Sequence, residues 1–513
     1  MISDTTLALD LIALTAFILL ILAASKRRKR TNLQLPPGPP PLPIVGNLFD
    51  LPKESLWATY IEWGKVYGDI LSVQIFGQVI VVLNSAKAAQ DLLDKKALIY
   101  SGRPTIPMYD LMDWSWNEGS NTYSPRWRLQ RKMLDRGMRP KAAIQYQSMQ
   151  KDKVHHFLKQ LLSRPTEFRK HTEHLQGAII MALVYGYDVA EENDSYLKLT
   201  HDINEIGQRV MLPGSAIVNE LPFLKHLPEW LPGMGFKALA RVGEKRGWEA
   251  VKRPFAFVKA NMQHGSARRS VTRENLLELE SAQVSDPDAV ESAIAESSAS
   301  VYSAGADTTA SAISTLFLAL VLHPDVQRRA QAEVDAVTGG QRLPDYGDRS
   351  QLPYVQAVCK EVLRWRNVVP VGVPHATTED DIYEGYFIPK GATVISNIWA
   401  ILHDPQVYPE PDEFKPERFL MPGGRVKEDS TLSAVFGFGR HIAENTLFIV
   451  AVSFLATYTI DRAKDPQGNE IPVNCTYSSG FLITPNEFEC SIVPRSTKAE
   501  ELIRMDTWEN GTV

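Results

Sequence analysis

The sequence has 513 residues, of which 44% are hydrophobic and 22% charged, so it is long and apolar enough to bury a large core and is not a disordered chain. Its net charge of −5 and pI near 6.2 argue against nucleic acid as a partner, because nucleic-acid-binding domains normally present a basic face. Its three scattered cysteines, with no C-x-x-C pair, exclude a disulfide framework and give no zinc motif.

An apolar stretch at residues 7–25 is long enough to cross the hydrocarbon core of a membrane as a helix. Asp10 is its only charged residue, and the basic run KRRKR follows directly at residues 26–30. Because positive residues stay on the cytoplasmic side, residues 1–30 are predicted to be a membrane anchor with a basic stop and a cytosolic body. A cleaved signal peptide, which would carry its charge first, and a buried helix are the alternatives.

Residues 31–47 are rich in proline and contain the run PPGPPPLP at residues 36–43. Proline fixes φ and favours an extended, semi-rigid spacer, so this segment is predicted to be a hinge in contact with the membrane surface. An SH3-type ligand is the alternative. Residues 48–513 are then predicted to form a single domain.

Residues 70–76 and 79–83 have strand-like apolar content around Gly77 and predict a hairpin. The pattern between about residues 140 and 337 is mostly helical. Short strands and turns return at residues 373–394 and after Asp461. The predicted fold class is therefore mainly α with small β-sheets.

One predicted helix begins after Asp286-Pro287, which supplies a side-chain cap and a proline at the first helical position. It can continue to Leu322, which gives about 36 residues and about 54 Å at the usual rise per residue. Its middle, SAGADTT at residues 303–309, is small and polar. Asp307 beside Thr308 could relay protons, although a polar patch that helps helices to pack explains the same pattern.

Two further motifs pair charged or aromatic side chains at helical spacing. Glu361-x-x-Arg364, with Arg418 of the sequence PERF, is either a buried clamp or an exposed pair of little consequence. Trp127-x-x-x-Arg131 could bind a carboxylate, and a surface cation–π pair is the alternative.

The segment FGFGR at residues 436–440 is a Gly-rich turn before a predicted helix. A dinucleotide-binding fingerprint needs a third glycine and a preceding strand, and the chain offers neither clearly. A dinucleotide-binding oxidoreductase is therefore disfavoured.

The order and spacing of these motifs resemble the cytochrome P-450 family over essentially the whole chain. Finer features, such as SGRP at residues 101–104 and SAGADTT at residues 303–309, resemble its fungal microsomal members. The resemblance implies a cytochrome P-450 fold after one transmembrane helix in the endoplasmic reticulum membrane. It also implies haem b and the insertion of one oxygen atom from O2 into a terpenoid, steroid, polycyclic aromatic or other apolar small molecule. NADPH–cytochrome P-450 reductase would be the electron-donating partner.

The resemblance also implies a role for each motif residue. Asp307 and Thr308 look like the acid–alcohol pair that delivers protons to dioxygen, and Ala304 and Gly305 look like the opening where dioxygen sits. The remaining roles are propionate contacts by Trp127, Arg131 and His375, the haem loop at Phe436, Gly439 and Arg440, and a structural clamp of Glu361, Arg364 and Arg418.

The chain departs from the family at the haem loop, which runs Phe-x-x-Gly-x-Arg-x-Cys-x-Gly. Phe436 and Gly439 match, but Arg440 is followed directly by His441. About six residues are missing, including the cysteine whose thiolate binds the iron and favours O–O cleavage. No metal ligand is therefore assigned, and two hypotheses stay open: a monooxygenase with a recent deletion or a mis-drawn splice boundary here, and a haem-free, membrane-tethered remnant that binds lipophiles or partners.

Overall fold

The computed structural model describes residues 33–52, 54–211, 214–436 and 439–505. The predicted anchor at residues 1–30 lies outside the described residues, as do Gly437 and Phe438 of the Gly-rich turn. Most of the described chain is helical. The helices are α1 Leu56–Tyr67, α2 Ala86–Ala89, α3 Ala97–Tyr100, α4 Pro107–Leu111, α5 Pro125–Met138, α6 Pro140–Ile144, α7 Gln147–Ser163, α8 Phe168–Tyr185, α9 Ser195–Met211, α10 Ile217–Glu220, α11 Phe236–Gln263, α12 Val271–Ser281, α13 Pro287–Leu322, α14 Pro324–Thr338, α15 Pro353–Trp365, α16 Ile398–Leu402, α17 Arg440–Thr457 and α18 Thr497–Arg504.

The strands are few and short. A four-stranded sheet has the order β1-β2-β6-β3, and two smaller sheets pair β4 with β5 and β7 with β8. The prediction of a mainly helical chain with small sheets is therefore confirmed. The strands are β1 Ile70–Ile75, β2 Gln78–Leu83, β3 His375–Ala376, β4 Asp381–Tyr383, β5 Tyr386–Ile388, β6 Thr393–Ser396, β7 Tyr458–Arg462 and β8 Cys490–Pro494.

The predicted hairpin is confirmed as the antiparallel pair β1 and β2, in which Ile70 lies opposite Leu83. The connecting residues Phe76 and Gly77 both have positive φ, at 45° and 83°. A two-residue turn with positive φ at both positions matches the twist of a hairpin, and glycine adopts that conformation without strain. The local sequence therefore determines both the turn and the register.

The chain divides into two compact units, each built from separate segments. The first contains residues 33–52, Ala58–Pro104 and Pro374–Ser396, and it holds the four-stranded sheet and the β4–β5 pair around a small apolar core. The second contains the described residues of Lys53–Trp57, Thr105–Val373 and Asn397–Val513, and it holds α4 to α18 and the β7–β8 pair.

Helix α13 spans the 36 residues that its capping signals predict. The side chain of Asp286 accepts a hydrogen bond from the backbone N–H of Ala289 at 3.0 Å, and Pro287 occupies the first turn. By length and composition alone α13 could cross a membrane, but 78% of its apolar window is buried inside the protein. Phe317 contacts Phe454 of α17, with ring centroids 4.6 Å apart, so α13 is a core helix of the second unit.

Glu361 and Arg364 of α15 are fully buried and form a bidentate ion pair, with Arg364 Nε and Nη2 at 2.7 and 2.9 Å from the carboxylate. Arg418 adds a third charge at 3.1 Å from Glu361 Oε1. The backbone N–H of Lys415 also donates to this oxygen, and Arg364 donates to the carbonyl of Leu402. Buried charges are tolerated only when they are paired and hydrogen-bonded, and here both conditions are met.

Replacing Glu361 with glutamine will leave two arginines beside a neutral amide in a buried site. We expect the free energy of unfolding to fall by about 3–5 kcal/mol, the cost of removing one partner from a buried pair. Denaturant unfolding followed by tryptophan fluorescence measures this.

The matched control is Glu205→Gln, which breaks the exposed i,i+4 pair of Glu205 with Arg209 on α9. Exposed helical pairs contribute about 0.3–0.5 kcal/mol, so this variant should unfold almost as the unaltered protein does. Equal losses of stability in the two variants would contradict a buried clamp.

Candidate active site

Between residues 293 and 322 of α13, Ala304 is the one exposed residue. Ala304 is exposed, whereas Tyr302 and Ala306 on either side are buried. Thr308 lies one turn further on the same face, and its Oγ1 donates to the carbonyl of Ala304 at 3.0 Å. The helix therefore places a hydroxyl group and a small side chain together where another molecule can approach.

Asp307 is held from a neighbouring helix by an amide. Asn204 of α9 donates from Nδ2 to Asp307 Oδ2 at 2.9 Å and to the carbonyl of Ser303 at 3.0 Å. Its Oδ1 accepts from Ser303 Oγ at 2.6 Å. Both amide protons and the carbonyl are thus engaged, which fixes the orientation of Asn204 and, through it, the carboxyl group of Asp307.

Burial raises the pKa of Asp307, and this effect is opposed by the hydrogen bond from Asn204 and by the charge of His201. Burial also raises the pKa of Glu173 on α8, with Arg169 opposing the shift and Asp307 adding to it. A carboxyl group with a raised pKa holds a proton closer to neutral pH and can donate it. Asp307 and Glu173 are therefore two carboxyl groups whose pKa is raised by burial.

Sequence reasoning missed Asn204 and Glu173. Asn204 lies 103 residues before Asp307, and no local spacing connects the two positions. Both side chains lie on ordinary amphipathic helices whose pattern only identifies the buried face. The contact follows from how α9 crosses α13, which the sequence pattern does not specify.

Gly305, which was expected with Ala304 to open the helix for dioxygen, packs closely against α8. A Cβ atom at this position would lie 2.6 Å from Ile180 Cδ1 of α8. The carbonyl of Gly305 also accepts a hydrogen bond from Gln176 Nε2 at 2.7 Å. The glycine therefore accommodates close packing of α8 against α13, and the exposed position belongs to Ala304.

Trp127 and Arg131 lie one turn apart on α5, and both are half-buried. The Trp127 ring packs at 5.3 Å from the ring of Tyr123. Partial burial lowers the pKa of the Arg131 guanidinium. The shared face of α5 therefore carries an indole and a partly desolvated cation, which lies near the charges of Glu118 and Asp135.

His375, the third predicted propionate contact, belongs to the first unit, on β3. Its Nδ1 lies 2.9 Å from the carbonyl of Tyr100, so Nδ1 must carry the proton and donate. Burial lowers its pKa to about 4. In this neutral tautomer Nε2 is an acceptor, so the ring would have to gain a proton before it could donate to a carboxylate.

The predicted haem loop is reduced to a short connection. Gly439 precedes α17, which begins at Arg440. Arg440 Nε lies 3.0 Å from Glu444 Oε1, and its guanidinium lies 5.4 Å from the ring centroid of Phe436. The charge of Arg440 is thus satisfied within the chain.

No thiolate lies at this connection. Cys359 is buried in the core, with Sγ 4.0 Å from the carbonyl of Leu447, and burial raises its pKa to about 12. Cys490 lies opposite Arg462 in the β7–β8 ladder, and Cys475 is exposed. Within the described ranges, no group of three or more His, Cys, Asp or Glu side chains could hold a metal ion. The donor set therefore does not fit a thiolate-bound haem.

The comparisons with known proteins agree with the motif order. The sequence matches the Cytochrome P450 family over residues 36–491. It is 42% identical to Cytochrome P450 monooxygenase 208 of Postia placenta, over 97% of each chain. It is 37% identical to Cytochrome P450 monooxygenase COX1 of Coprinopsis cinerea, over 98% of this chain and 99% of that one. It is 38% identical to Tryptamine 4-monooxygenase of Psilocybe cyanescens, over 92% and 95%. The chain belongs to the cytochrome P450 family and is similar to its fungal monooxygenases.

Proposed function

We propose that this protein is built to insert one oxygen atom from O2 into an apolar small molecule, with electrons from NADPH supplied by NADPH–cytochrome P-450 reductase. The observation that carries the proposal is the partly buried carboxyl group of Asp307 beside Thr308, next to the exposed Ala304 in the middle of α13. An enzyme that reduces dioxygen must bring protons to a dry site, and this pair is suited to that task. We assign the activity to the form of the protein that carries a cysteine segment between Arg440 and His441.

Within this proposal, Asp307 donates a proton from its carboxyl group and Thr308 passes it on through its hydroxyl group. Trp127 and Arg131 would hold a carboxylate of the cofactor, haem b. Glu361, Arg364 and Arg418 form the structural clamp. Residues 48–513 act as one catalytic domain.

The substrate class we propose is a terpenoid, steroid or polycyclic aromatic. One relative is named for the oxygenation of tryptamine, a small aromatic amine, so the relatives include an enzyme for a small ring compound. Residues 1–30 would anchor the protein in the endoplasmic reticulum membrane, where apolar substrates and the reductase concentrate. The apolar stretch followed by a basic run supports this location.

The proposal is tested with a variant in which the family segment Arg-x-Cys-x-Gly is restored between Arg440 and His441. The variant is assayed in microsomes with the reductase, NADPH, isotopically labelled dioxygen and compounds of the three proposed classes. A product with one labelled oxygen atom is expected. The matched control carries serine in place of the inserted cysteine and should form none, because a hydroxyl group does not replace the thiolate. Failure of the cysteine-containing variant to oxidise any compound would count against the function.

The sequence, which has no cysteine between Arg440 and His441, leaves open a second hypothesis, the haem-free, membrane-tethered remnant that binds lipophiles or partners. The family comparisons do not support it. The two candidates differ in the transcript. Sequencing of cDNA across this junction should find the cysteine segment if the first candidate is correct. Its absence from every transcript favours the second.

Replacing Asp307 with asparagine, in the cysteine-containing variant, removes the acidic proton but keeps the shape and hydrogen-bonding capacity of the side chain. We expect the rate of labelled product formation to fall about 100-fold, which is typical of losing a general acid. The control is Asp202→Asn on α9, a carboxylate that faces Arg246 at 3.5 Å. The rate of this control should stay unchanged, and a similar loss in both variants would remove the special role of Asp307.

Replacing Asn204 with leucine tests how Asp307 is positioned. The hydrogen bond from Asn204 lowers the pKa of Asp307, so its loss will raise that pKa further. Because Asp307 donates in its neutral form, the rate falls as pH rises through its pKa. This descending limb of the pH–rate profile should therefore move to higher pH. A rate reduced equally at every pH, with the limb in place, would indicate only structural damage.

A further inference from the structure

We infer that the 513-residue chain folds without a thiolate-bound haem. We call Phe436, Gly439, Arg440 and His441 the junction. The inference uses the proposed function only to identify the haem loop that is missing. It rests on three observations: where the sulfur atoms lie, which contacts the junction residues make, and which side chains hold the following helix.

The buried sulfur atom cannot reach an iron site without breaking the fold. Cys359 lies two residues before Glu361 on α15, and Glu361 is locked between Arg364 and Arg418. The Cys359 side chain points into the core formed with Leu447. Turning it outward would require α15 to rotate and the clamp to separate.

The other two sulfur atoms are held by the C-terminal strands and loops. Cys490 lies in β8, and its opposite residue in the β7–β8 ladder is Arg462. Burial raises the pKa of its thiol to about 12, so it is protonated at neutral pH. Cys475 is exposed and donates to the carbonyl of Val473 at 3.7 Å. Both cysteines are distant from the junction in sequence. Their contacts, the β7–β8 ladder for Cys490 and the local hydrogen bond for Cys475, do not involve the junction.

Two polar groups of the junction are engaged within the chain, the carbonyl of Gly439 and the guanidinium of Arg440. The backbone N–H of Ala443 donates to the carbonyl of Gly439 at 3.0 Å, so the first turn of α17 forms directly after the glycine. The guanidinium of Arg440 is shared between Glu444 and the ring of Phe436. Arg440 is therefore held by contacts within the chain.

Contacts from other helices hold the start of α17. Gln150 of α7, which is fully buried, donates from Nε2 to the carbonyl of Ile442 at 3.1 Å and to Thr446 Oγ1 at 2.7 Å. Arg349 donates to Asn445 Oδ1 at 3.0 Å. These bonds come from elements outside the haem loop, so α17 keeps its place when the loop is short.

Of the four junction residues, only His441 has a side chain that commonly binds iron. His441 is half-buried in the first turn of α17, and an imidazole can bind haem iron. A neutral imidazole does not give the spectrum of a thiolate. The structure therefore assigns two acceptable states to this chain, haem-free or haem without sulfur ligation, and both lack the thiolate.

The test compares three full-length proteins in microsomes: the unaltered chain, its cysteine-free form with Cys359→Ala, Cys475→Ser and Cys490→Ser, and the variant with the restored cysteine segment. Each is reduced, treated with carbon monoxide and examined for the Soret band of a thiolate ligand at about 450 nm. Detergent-purified protein, with no haem added, is then heated while its circular dichroism is followed.

We expect the band only in the protein with the restored segment. The unaltered and cysteine-free chains should have the same spectrum, with no haem or with a band displaced to shorter wavelength. The unaltered chain should still unfold in one cooperative transition. A band at about 450 nm in the unaltered chain that disappears in the cysteine-free form would overturn the inference, as would the absence of any cooperative transition.

The experiment distinguishes failure of this inference from failure of the proposed function. If the restored protein has the thiolate band but forms no labelled product, the function fails and the inference stands. If the unaltered chain has the band, the inference fails whatever the restored protein oxidises.

Discussion

The buried carboxylate of Glu361 is the interaction on which the second unit depends. It compensates Arg364 inside α15 and Arg418 in the helical turn Pro416–Phe419, so one anion fixes two segments that are far apart in sequence. Such a group is costly to bury and has value only when every partner is in place. It therefore enforces one arrangement of α15 against the segment that leads to the junction, and the core around Cys359 and α17 assembles on that arrangement.

Two parts of the proposed chemistry sit on different supports. Asp307 and Thr308 are held by α13 and, through Asn204, by α9. The position of the iron ligand depends instead on the connection before α17. Among the described residues these two sets of elements share no hydrogen bond, so the hydrogen bonds that hold Asp307 and Thr308 do not run through the connection before α17.

Local chemistry made some features predictable. The bounds of α13 follow from Asp286-Pro287 at one end and His323-Pro324 at the other, and the hairpin follows from Gly77. The spacing of Glu361 and Arg364 predicted that they share a helical face, but only the fold decides that the face is buried. The roles of Asn204 and Glu173 and the surroundings of Gly305 could likewise be identified only from the folded structure. These depend on how helices cross, which is set by side-chain packing over long sequence separations and leaves no local pattern.

The close approach at Gly305 has a consequence for how this sequence can change. A side chain at position 305 would meet Ile180 at 2.6 Å, so each position limits the size of the other. In a close-packed interior such a restriction is met by paired changes, in which one residue grows as its neighbour shrinks. Positions 180 and 305 therefore act as one packing unit. A larger residue at 305 requires the Ile180 side chain to turn away or to be replaced by a smaller one.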